Sequence, residues 1–237
     1  MKLAIVIPTY NEAETIPSLI KELFEKIKQL VEKLDVLIID DSSPDGTADI
    51  VRKLGDKYEK ITVIQRPKKM GLGAAYKEGF RHILEKFDSE LIVQMDADHS
   101  HQPEEIPNML EKIKNFDFLV ASRHVEGSDV IGWGIGRKTT HSIAGAIASA
   151  CAKIEIKDST SGFRMFKKKT LEKIDFGKIR SDGFAFQIEV LHQLKQLGMK
   201  GLEVPTVFMN RTEGNSKMGS SEMIQFIIMC ISYIGRK

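Results

Sequence analysis

Two aspartates stand two positions apart directly after an apolar run in the stretch LIVQMDADHSH, residues 91–101. Side chains alternate in direction along an extended chain, so Asp96 and Asp98 would point to the same side. Two carboxylates that close repel each other unless a cation lies between them. Mg²⁺ and Mn²⁺ are hard cations that take one or two protein carboxylates and complete their shell with water and phosphate oxygens. The spacing therefore favours a metal site for a substrate diphosphate, although Asp-x-Asp also occurs in ordinary surface turns.

Polar clusters also follow three other apolar runs of the chain. These clusters are PTYNE at residues 8–12, DDSSPDGT at 40–47 and Ser122-Arg123. Each cluster alone is more simply explained as a cap for the next helix. However, ligands of open parallel sheets bind outside the carboxyl ends of the strands, where such clusters would meet. Four clusters at one sheet edge predict a binding site.

Strands and helices alternate along the first half of the chain, and they would position these clusters. The apolar runs of strand length are Leu3–Ile7, Val36–Asp40, Ile61–Ile64, Leu91–Met95 and Phe118–Ser122. Helical periodicity predicts helices over 13–34, 47–58 and 72–86, and another that begins near residue 103. Continuous apolar strands joined by helices predict an α/β fold whose mainly parallel sheet is covered on both faces.

The pattern changes after Ser122, where a Gly-rich segment precedes a small-residue helix over 142–152. The run DSTSGFRMF follows, then a helix around 186–197, a strand over 202–209 and the loop NRTEGNSKMGS. We find no repeat and no linker. We therefore expect a single domain over 1–237, with a nucleotide-binding half at 1–122, a site-completing half at 123–220 and an apolar C-terminal helix at 221–237.

Composition excludes several classes of protein. The net charge is +2, from 35 Lys and Arg against 33 Asp and Glu, so no global field favours nucleic acid. Two cysteines, Cys151 and Cys230, make no disulfide framework and are typical of a reducing compartment. The N-terminal apolar run is too short for a signal-peptide core and indicates a buried strand instead.

Six motifs, taken in order, resemble those of a known enzyme family. IVIPTYNE, IDDSSPDGT and MDADHSHQPEEIP resemble family 2 glycosyltransferases, which have the Rossmann-like GT-A fold. DSTSGFRMF, SDGFAFQIEVL and VPTVFMNRTEGNSKMG are similar to the polyprenyl-phosphate (dolichol-phosphate) mannosyltransferase branch. The resemblance implies transfer of a hexose, usually mannose from GDP-mannose, to dolichyl or polyprenyl phosphate with inversion. It also implies Mg²⁺ or Mn²⁺ as the cofactor.

The resemblance assigns a role to each position that matches the family's motifs. The residues implied at the nucleoside are Pro8, Tyr10, Glu12, Ile39 and Asp41. The residues implied at the diphosphate and metal are Asp96, Ala97 and Asp98, with both aspartates as metal ligands. Those implied at the acceptor phosphate are Arg123 and Arg137, with Arg211 and Lys217 neutralising the phosphates. Asp98, Arg123 and Arg211 are the implied catalytic residues, and guanidinium suits phosphate because it can bind two oxygens at once.

Two positions depart from the family's pattern. Ser100 stands where the family often has a Gln that can join the metal shell. The family also has an Arg-x-x-x-Ser pattern; here Arg137 begins it, and His141 stands in place of the Ser. The sequence therefore leaves undecided how an acceptor would bind near Arg137. His99, His101 and His141 are not spaced as a zinc site, and we interpret them as polar loop or helix residues.

The implied chemistry depends on charge rather than on a nucleophilic side chain. A phosphate monoester is already ionised at pH 7, so the reaction needs neutralisation of two phosphates, which a metal and several cations provide. Three alternatives remain: a UDP-glucose donor, a soluble acceptor, or a non-catalytic nucleotide-sugar-binding module. The loop NRTEGNSK and Arg137 disfavour the soluble acceptor, and the intact Asp-x-Asp disfavours the non-catalytic module.

The C-terminal stretch 223–234 is almost wholly apolar. As a helix it would span about 18 Å, against about 30 Å of hydrocarbon in a bilayer, so it is too short to cross. It either packs on the α/β core or lies in the membrane interface, with Arg236 and Lys237 at the headgroups.

Because a polyprenyl chain stays in the membrane, we expect a cytoplasmic protein, peripheral on the cytosolic face. Its expected partners are a membrane surface and a membrane-anchoring subunit, with no nucleic acid.

Overall fold

The computed structural model describes residues 1–132, 134, 145, 154–181 and 183–210 of the chain. The strands are β1 (Lys2–Thr9), β2 (Lys33–Asp40), β3 (Ile61–Gln65), β4 (Leu91–Gln94), β5 (Phe118–Ser122), β6 (Asp129–Ile131), β7 (Arg164–Lys167), β8 (Gly201–Pro205) and β9 (Val207–Met209). The helices are α1 (Ile16–Ile27), α2 (Thr47–Gly55), α3 (Leu72–Lys86), α4 (Ile106–Lys112), α5 (Lys168–Leu171) and α6 (Gly183–Gln196). Short 3₁₀ turns cover Lys28–Leu30, Pro103–Glu105 and Ile113–Asn115.

A seven-stranded sheet in the order β3-β2-β1-β4-β7-β5-β8 forms the centre of the fold. Its neighbours pair in parallel except around β7, which is antiparallel to both β4 and β5. A separate parallel pair is formed by β6 and β9. The predicted mainly parallel α/β sheet is confirmed, and its strands come from both halves of the chain.

Helices cover both faces of the sheet, as the continuous apolar strands predicted. In β1, Ala4 and Val6 pack on one side with apolar residues of α3 and α6. Leu3, Ile5 and Ile7 pack on the other side with apolar residues of α1, α2 and α4. All five side chains are fully buried, which is the condition that makes a central parallel strand apolar on both faces. None of the helices described above combines the length and the apolar character needed to cross a membrane.

Several elements differ from the sequence prediction. The helix predicted over 13–34 ends at Ile27, because Lys33 already pairs with Lys2 at the start of β2. The strand predicted over 202–209 divides after Pro205, where the amide of Thr206 donates to the Ser122 carbonyl and the chain leaves the main sheet. Strand β7 was not predicted, because its four residues are too few to show a period.

The strand order reverses between β1 and β4, the place where open α/β sheets bind ligands. The clusters that follow β1, β2, β4 and β5 therefore lie at one edge of the sheet, as expected. Other predictions fall outside the described residues: both cysteines, most of the helix over 142–152, the segment 221–237, and the site residues Arg137, His141, Arg211 and Lys217.

Gly79 lies at the closest approach of α3 to the sheet. A Cβ built there would lie 2.5 Å from Val6 Cγ2 and 3.2 Å from Ile39 Cγ1. We expect Gly79→Ala to lower the free energy of unfolding by about 1–3 kcal/mol, because overpacking outweighs the gain in helix propensity. Urea unfolding followed by circular dichroism measures this.

The matched control is Gly55→Ala at the end of α2, where an added Cβ meets nothing within 4 Å. We expect that variant to be neutral or more stable by about 0.4–1 kcal/mol. Equal stabilities of the two variants would contradict the tight packing at Gly79.

Candidate active site

The loops that follow β1 and β2 are joined by hydrogen bonds. The amide of Asn11 donates to Ser43 Oγ at 3.1 Å, and the amide of Glu12 donates to Thr47 Oγ1 at 3.0 Å. Asn11 has a φ of +59°, a conformation that Asn tolerates better than most residues. These bonds hold the PTYNE segment against the DDSSPDGT segment, so one wall of the site is set by contacts between two loops.

Asp40 and Asp41 are adjacent but have different partners. Asp40 is fully buried and accepts hydrogen bonds from the Thr9 hydroxyl and from the amide and hydroxyl of Ser43, all of them neutral groups. Asp41 forms an ion pair with Arg66 and accepts the amides of Met70 at 3.0 Å and Gly71 at 3.2 Å. The guanidinium of Arg66 is also buried and donates to the Gly71 carbonyl at 2.9 Å. Asp41, predicted at the nucleoside, is therefore fixed to the loop that leads into α3.

The other residues predicted at the nucleoside differ in how deeply they are buried. Tyr10 is half-buried, and the Lys69 ammonium lies 4.0 Å from the centre of its ring. Pro8 is also half-buried near the end of β1. The Ile39 side chain is fully buried in the core, against Gly79 of α3. The structure therefore keeps the Ile39 side chain away from the site, and only its backbone is left to contact a ligand.

The DAD motif lies on a bend rather than on a strand. Strand β4 ends before the motif, the chain bends over residues 97–100, and His99 has a φ of +57°. The alternation that predicted Asp96 and Asp98 on the same side applies to extended backbone, so that reason was wrong. Asp98 Oδ1 accepts the amide of Ser100 at 3.1 Å, within the bend. Ala97 is buried, and the shared cation stays a prediction.

His101 is part of the core around Asp96. It is 3% exposed, and its ring stacks on Phe163 with centres 5.1 Å apart. Its Nδ1 accepts the amide of Asp96 at 3.0 Å. Burial lowers the pKa of His101, more than the nearby charges of Asp96 and Asp98 raise it, so the imidazole is neutral. His101 thus lies in a loop, as interpreted, but it is buried there rather than solvated.

Tyr76 of α3 was missed by the sequence analysis. Its hydroxyl lies 3.0 Å from Asp96 Oδ1 and 3.1 Å from the Met95 carbonyl oxygen. Burial raises the pKa of this phenol well above its ordinary value, and the charge of Asp96 raises it further. The residue is a neutral donor at any ordinary pH. The sequence gives no sign of this contact, because Tyr76 also fits the apolar stripe of a helix.

The two aspartates of the motif fit a divalent cation whose shell is only partly protein. Across the described ranges, no group of three or more His, Cys, Asp or Glu converges as a closed metal cage. The Asp96 side chain is 28% exposed and Asp98 is 7% exposed, so the first can reach a bound ion more readily. Mg²⁺ and Mn²⁺ bind in this way, with one or two carboxylates and with water and phosphate oxygens in the remaining positions.

Arg123, at the end of β5, forms a buried ion pair with Asp158. Its Nε donates to Asp158 Oδ2 at 2.8 Å, and its Nη2 donates to Oδ1 at 2.7 Å and to Thr160 Oγ1 at 3.0 Å. Burial would raise the pKa of Asp158, but the guanidinium holds it well below its usual range. The Arg123 charge is thus matched by a carboxylate that the sequence analysis did not single out. A role for Arg123 toward an acceptor phosphate stays a prediction.

Arg164 of β7 is a second buried guanidinium that the sequence analysis missed. It is fully buried, and it donates to the carbonyls of Gln187 and Ser159, each at 2.8 Å. Burial lowers its pKa to about 9, so it stays protonated at neutral pH. The signal was an Arg inside the apolar run GFRMF, in a motif that also supplies Asp158.

Strand β9 is bonded to the loop that contains the DAD motif and to the turn after that loop. The amide of Met209 donates to the Ser100 carbonyl at 3.3 Å, and the amide of Val207 donates to Glu105 Oε1 at 2.7 Å. Arg211 follows two residues after the end of this strand. Ser100, which replaces the family's Gln, is buried and acts here through its backbone.

The buried Arg123–Asp158 pair makes a prediction for stability. We expect Asp158→Asn to lower the free energy of unfolding by about 3–5 kcal/mol at pH 7, because it leaves a buried cation without its charge partner. The pKa of Asp158 is depressed in the folded state, so its stabilisation is present above the unfolded pKa, near 3.8, and is lost as pH falls. The gap between variant and wild type should therefore stay constant from pH 7 down to about pH 5 and narrow only as pH falls below about 4.

Urea unfolding at a series of pH values measures this gap. The matched control is Asp49→Asn, which breaks an exposed pair between Asp49 and Arg52 and should change stability by less than about 0.5 kcal/mol. A loss of similar size in both variants, or a gap independent of pH, would contradict the role given to the buried pair.

Comparison with solved structures defines the class of fold. The crystal structure of glucosyl-3-phosphoglycerate synthase from Mycobacterium tuberculosis with Mn²⁺, UDP-glucose and phosphoglyceric acid matches with a TM-score of 0.69 and 19% identity, covering 100% of this chain and 80% of that chain. Mannosyl-3-phosphoglycerate synthase from Rubrobacter xylanophilus matches with a TM-score of 0.70 and 17% identity, covering 98% and 73%. The fold is that of the GT-A glycosyltransferases.

Sequence comparison then gives the family. The Glycosyl transferase family 2 profile matches residues 4–175. The undecaprenyl-phosphate mannosyltransferase of Micrococcus luteus is 37% identical over 218 residues, covering 92% of this chain and 88% of the relative. The polyprenol monophosphomannose synthase of Mycolicibacterium smegmatis is 35% identical over 221 residues, covering 92% and 82%. The chain therefore belongs to glycosyltransferase family 2, and the predictions of the family and of a glycosyltransferase are confirmed.

Proposed function

We propose that this glycosyltransferase moves mannose from GDP-mannose to a dolichyl or polyprenyl phosphate, with inversion and with Mg²⁺ or Mn²⁺. The observation that carries the proposal is the placement of Asp96 and Asp98 at the switch point of the sheet, beside the loops that follow β1 and β2. Both curated relatives described above are named for mannosyl transfer to a polyprenol phosphate, and the chain covers most of each.

The donor would lie along the loops that follow β1, β2 and β4. Tyr10 offers a half-buried ring at which a base can stack, beside Pro8 and Glu12. Asp41 and the backbone of Ile39 would complete the nucleoside site. Asp96, Ala97 and Asp98 would then meet the diphosphate, because they follow the neighbouring strand at the same edge.

A bound Mg²⁺ or Mn²⁺ would neutralise the charge that develops on the departing nucleoside diphosphate. Asp96 and Asp98 would hold this ion through their carboxylates. Bonds within the protein keep both side chains in place beforehand, since Tyr76 contacts Asp96 and the Ser100 amide contacts Asp98. Preorganised ligands of this kind reduce the reorganisation needed as the reaction proceeds.

The acceptor phosphate would bind on the other side of the metal-binding loop. The cations proposed for it are Arg123, Arg137, Arg211 and Lys217. Asp158 fixes the guanidinium of Arg123 at the end of β5, which suits a residue that positions a ligand. A phosphate monoester is ionised at neutral pH, so these groups need only bring it close to the sugar and offset its charge.

An assay with labelled donors and a polyprenyl phosphate tests the proposal. We expect sugar transfer from GDP-mannose but not from UDP-glucose, and loss of transfer in excess EDTA. Asp98→Asn should lower turnover by at least about 100-fold, because it removes a charged ligand of the ion. The control is Asp88→Asn, which breaks an exposed pair with Lys2 and should retain activity. Transfer from UDP-glucose alone, or full activity in EDTA, would contradict the donor or the metal.

The acceptor would bring the enzyme to the cytosolic face of a membrane as a peripheral protein. We expect the full chain to sediment with liposomes that contain anionic phospholipid, because residues 221–237 combine an apolar stretch with a basic end. Removal of 221–237 should lower the bound fraction several-fold, with an unchanged circular dichroism spectrum as the control. A full chain that does not bind such liposomes would contradict the membrane partner.

A further inference from the structure

Two buried, neutral side chains lie beside the carboxylate of Asp96, one within hydrogen-bond distance and one just beyond it. The hydroxyl of Tyr76 lies 3.0 Å from Oδ1, and the Nε2 atom of His101 lies 3.9 Å from Oδ2. Tyr76 and His101 are 0% and 3% exposed, whereas the side chain of Asp96 is 28% exposed. The two buried groups therefore lie behind the carboxylate, and its remaining lone pairs can face solvent.

The hydrogen bonds of His101 fix its tautomer. Its Nδ1 accepts the backbone amide of Asp96 at 3.0 Å, so a neutral ring carries its proton on Nε2. That proton is on the atom nearest Asp96 Oδ2, about 1 Å beyond an ordinary hydrogen bond. Stacking on Phe163, with 14° between the rings, holds the imidazole plane.

Aromatic packing also fixes the ring of Tyr76. It stacks between Phe80 and Phe186, with centres 5.9 and 6.0 Å away. The hydroxyl has one proton and two acceptors within reach, Asp96 Oδ1 and the Met95 carbonyl oxygen at 3.1 Å. A hydrogen bond to an ionised carboxylate is about twice as strong as one to a neutral carbonyl, which favours Asp96 as the acceptor.

We propose that Tyr76 and His101 are positioning residues that hold the Asp96 carboxylate in place for a divalent cation. The proposal rests on the proposed metal site and deepens it. Neutral donors suit this task, because they orient a carboxylate without placing a positive charge beside the ion that it binds. Gly162 closes the same space, since a Cβ there would lie 3.4 Å from both Asp96 Oδ2 and His101 Cε1.

Mn²⁺ binding by the full chain, followed by the paramagnetic resonance signal of free Mn²⁺, tests the role of Tyr76. We expect Tyr76→Phe to weaken Mn²⁺ binding about tenfold, because it removes the hydroxyl and retains the aromatic stack. In the transfer assay, the Mn²⁺ concentration for half-maximal rate should rise by a similar factor, with kcat largely recovered at saturating Mn²⁺.

Two control variants separate this role from a structural one. Tyr58→Phe removes a hydroxyl from a ring stacked on Phe24 on the opposite face of the sheet, and Phe80→Leu weakens the packing around Tyr76 without touching its hydroxyl. Both should bind Mn²⁺ as the wild type does, although the second is less stable to urea. Wild-type Mn²⁺ binding by Tyr76→Phe would overturn the proposal for Tyr76 and leave its hydroxyl a donor to the Met95 carbonyl.

A pair of substitutions separates the two ring nitrogens of His101. The side-chain oxygen of His101→Asn can replace Nδ1 as the acceptor of the Asp96 amide, but the variant has no group at Nε2. His101→Gln places its amide nearer to Nε2 and loses the Nδ1 acceptor. If Nε2 orients the carboxylate, His101→Asn should weaken Mn²⁺ binding more than His101→Gln does. Weaker Mn²⁺ binding by His101→Gln than by His101→Asn would overturn the proposal for His101, because the residue would then act only through its bond to the Asp96 backbone amide.

The same measurements show which proposal has failed. If the wild type does not bind Mn²⁺ and transfers sugar in EDTA, the metal site itself is wrong, and the positioning role falls with it. If the wild type binds Mn²⁺ and loses that binding in Asp98→Asn, but none of the Tyr76 and His101 variants changes it, only the positioning role is overturned.

Discussion

Concentrated negative charge at one edge of the sheet is the constraint on which the rest of this site depends. Asp40, Asp41, Asp98 and Asp158 are each at most 7% exposed, and Asp96 lies among them. Burial of a carboxylate costs several kcal/mol unless charge or hydrogen bonds offset it. The groups that compensate this cost differ between the aspartates. Asp41 and Asp158 have guanidinium partners, whereas the side chains that face Asp96, Tyr76 and His101, are neutral. This difference supports the divalent cation proposed for the DAD motif.

The topology of the fold brings these compensating partners to the buried carboxylates. Parallel strands bring their carboxyl ends to one edge, and the reversal of order between β1 and β4 opens a crevice there. Strand β7 runs against its neighbours, so the loop that enters it, with Asp158 and Thr160, lies at that same edge. This loop supplies the partner of Arg123, and Gly162 at its end packs against Asp96. One short antiparallel strand thus joins the second half of the chain to the site built by the first.

The sequence predicted the five parallel strands of the first half well, because each is a short, mainly apolar run with a predicted helix on at least one side. Helix α3 was predicted at its observed bounds, whereas α1 was predicted too long, since apolar residues at helical spacing continue into the turn before β2. Strand β7 was missed because a four-residue strand has no period, and because Arg164 interrupts its apolar pattern. Periodicity identifies elements that bury one face over several turns, and it cannot identify a short strand placed by its neighbours.

The sequence predicted which polar residues lie at this edge of the sheet but not which of them contact one another. The motifs placed the aspartates correctly at the sheet edge, yet they could not show that Asp41 pairs with Arg66 or that Arg123 pairs with Asp158. These partners are 25 and 35 residues apart in the chain, and only the folded topology brings them together. Tyr76 and His101 were missed for a related reason, since an aromatic residue on an apolar helix face and a histidine in a polar loop are ordinary features.

Strand β9 contacts both the loop of the DAD motif and Arg123. Its amides bond to the Ser100 carbonyl and to Glu105, on either side of the turn that follows the DAD motif. The ring of Phe208 lies against both His101 and Arg123, with Arg123 Cζ 5.1 Å from its centre. A shift of β9 would therefore move the support of Asp96 and the guanidinium of Arg123 together. These backbone bonds and ring contacts connect the loop of the DAD motif to Arg123 through one short strand rather than through a long chain of side chains.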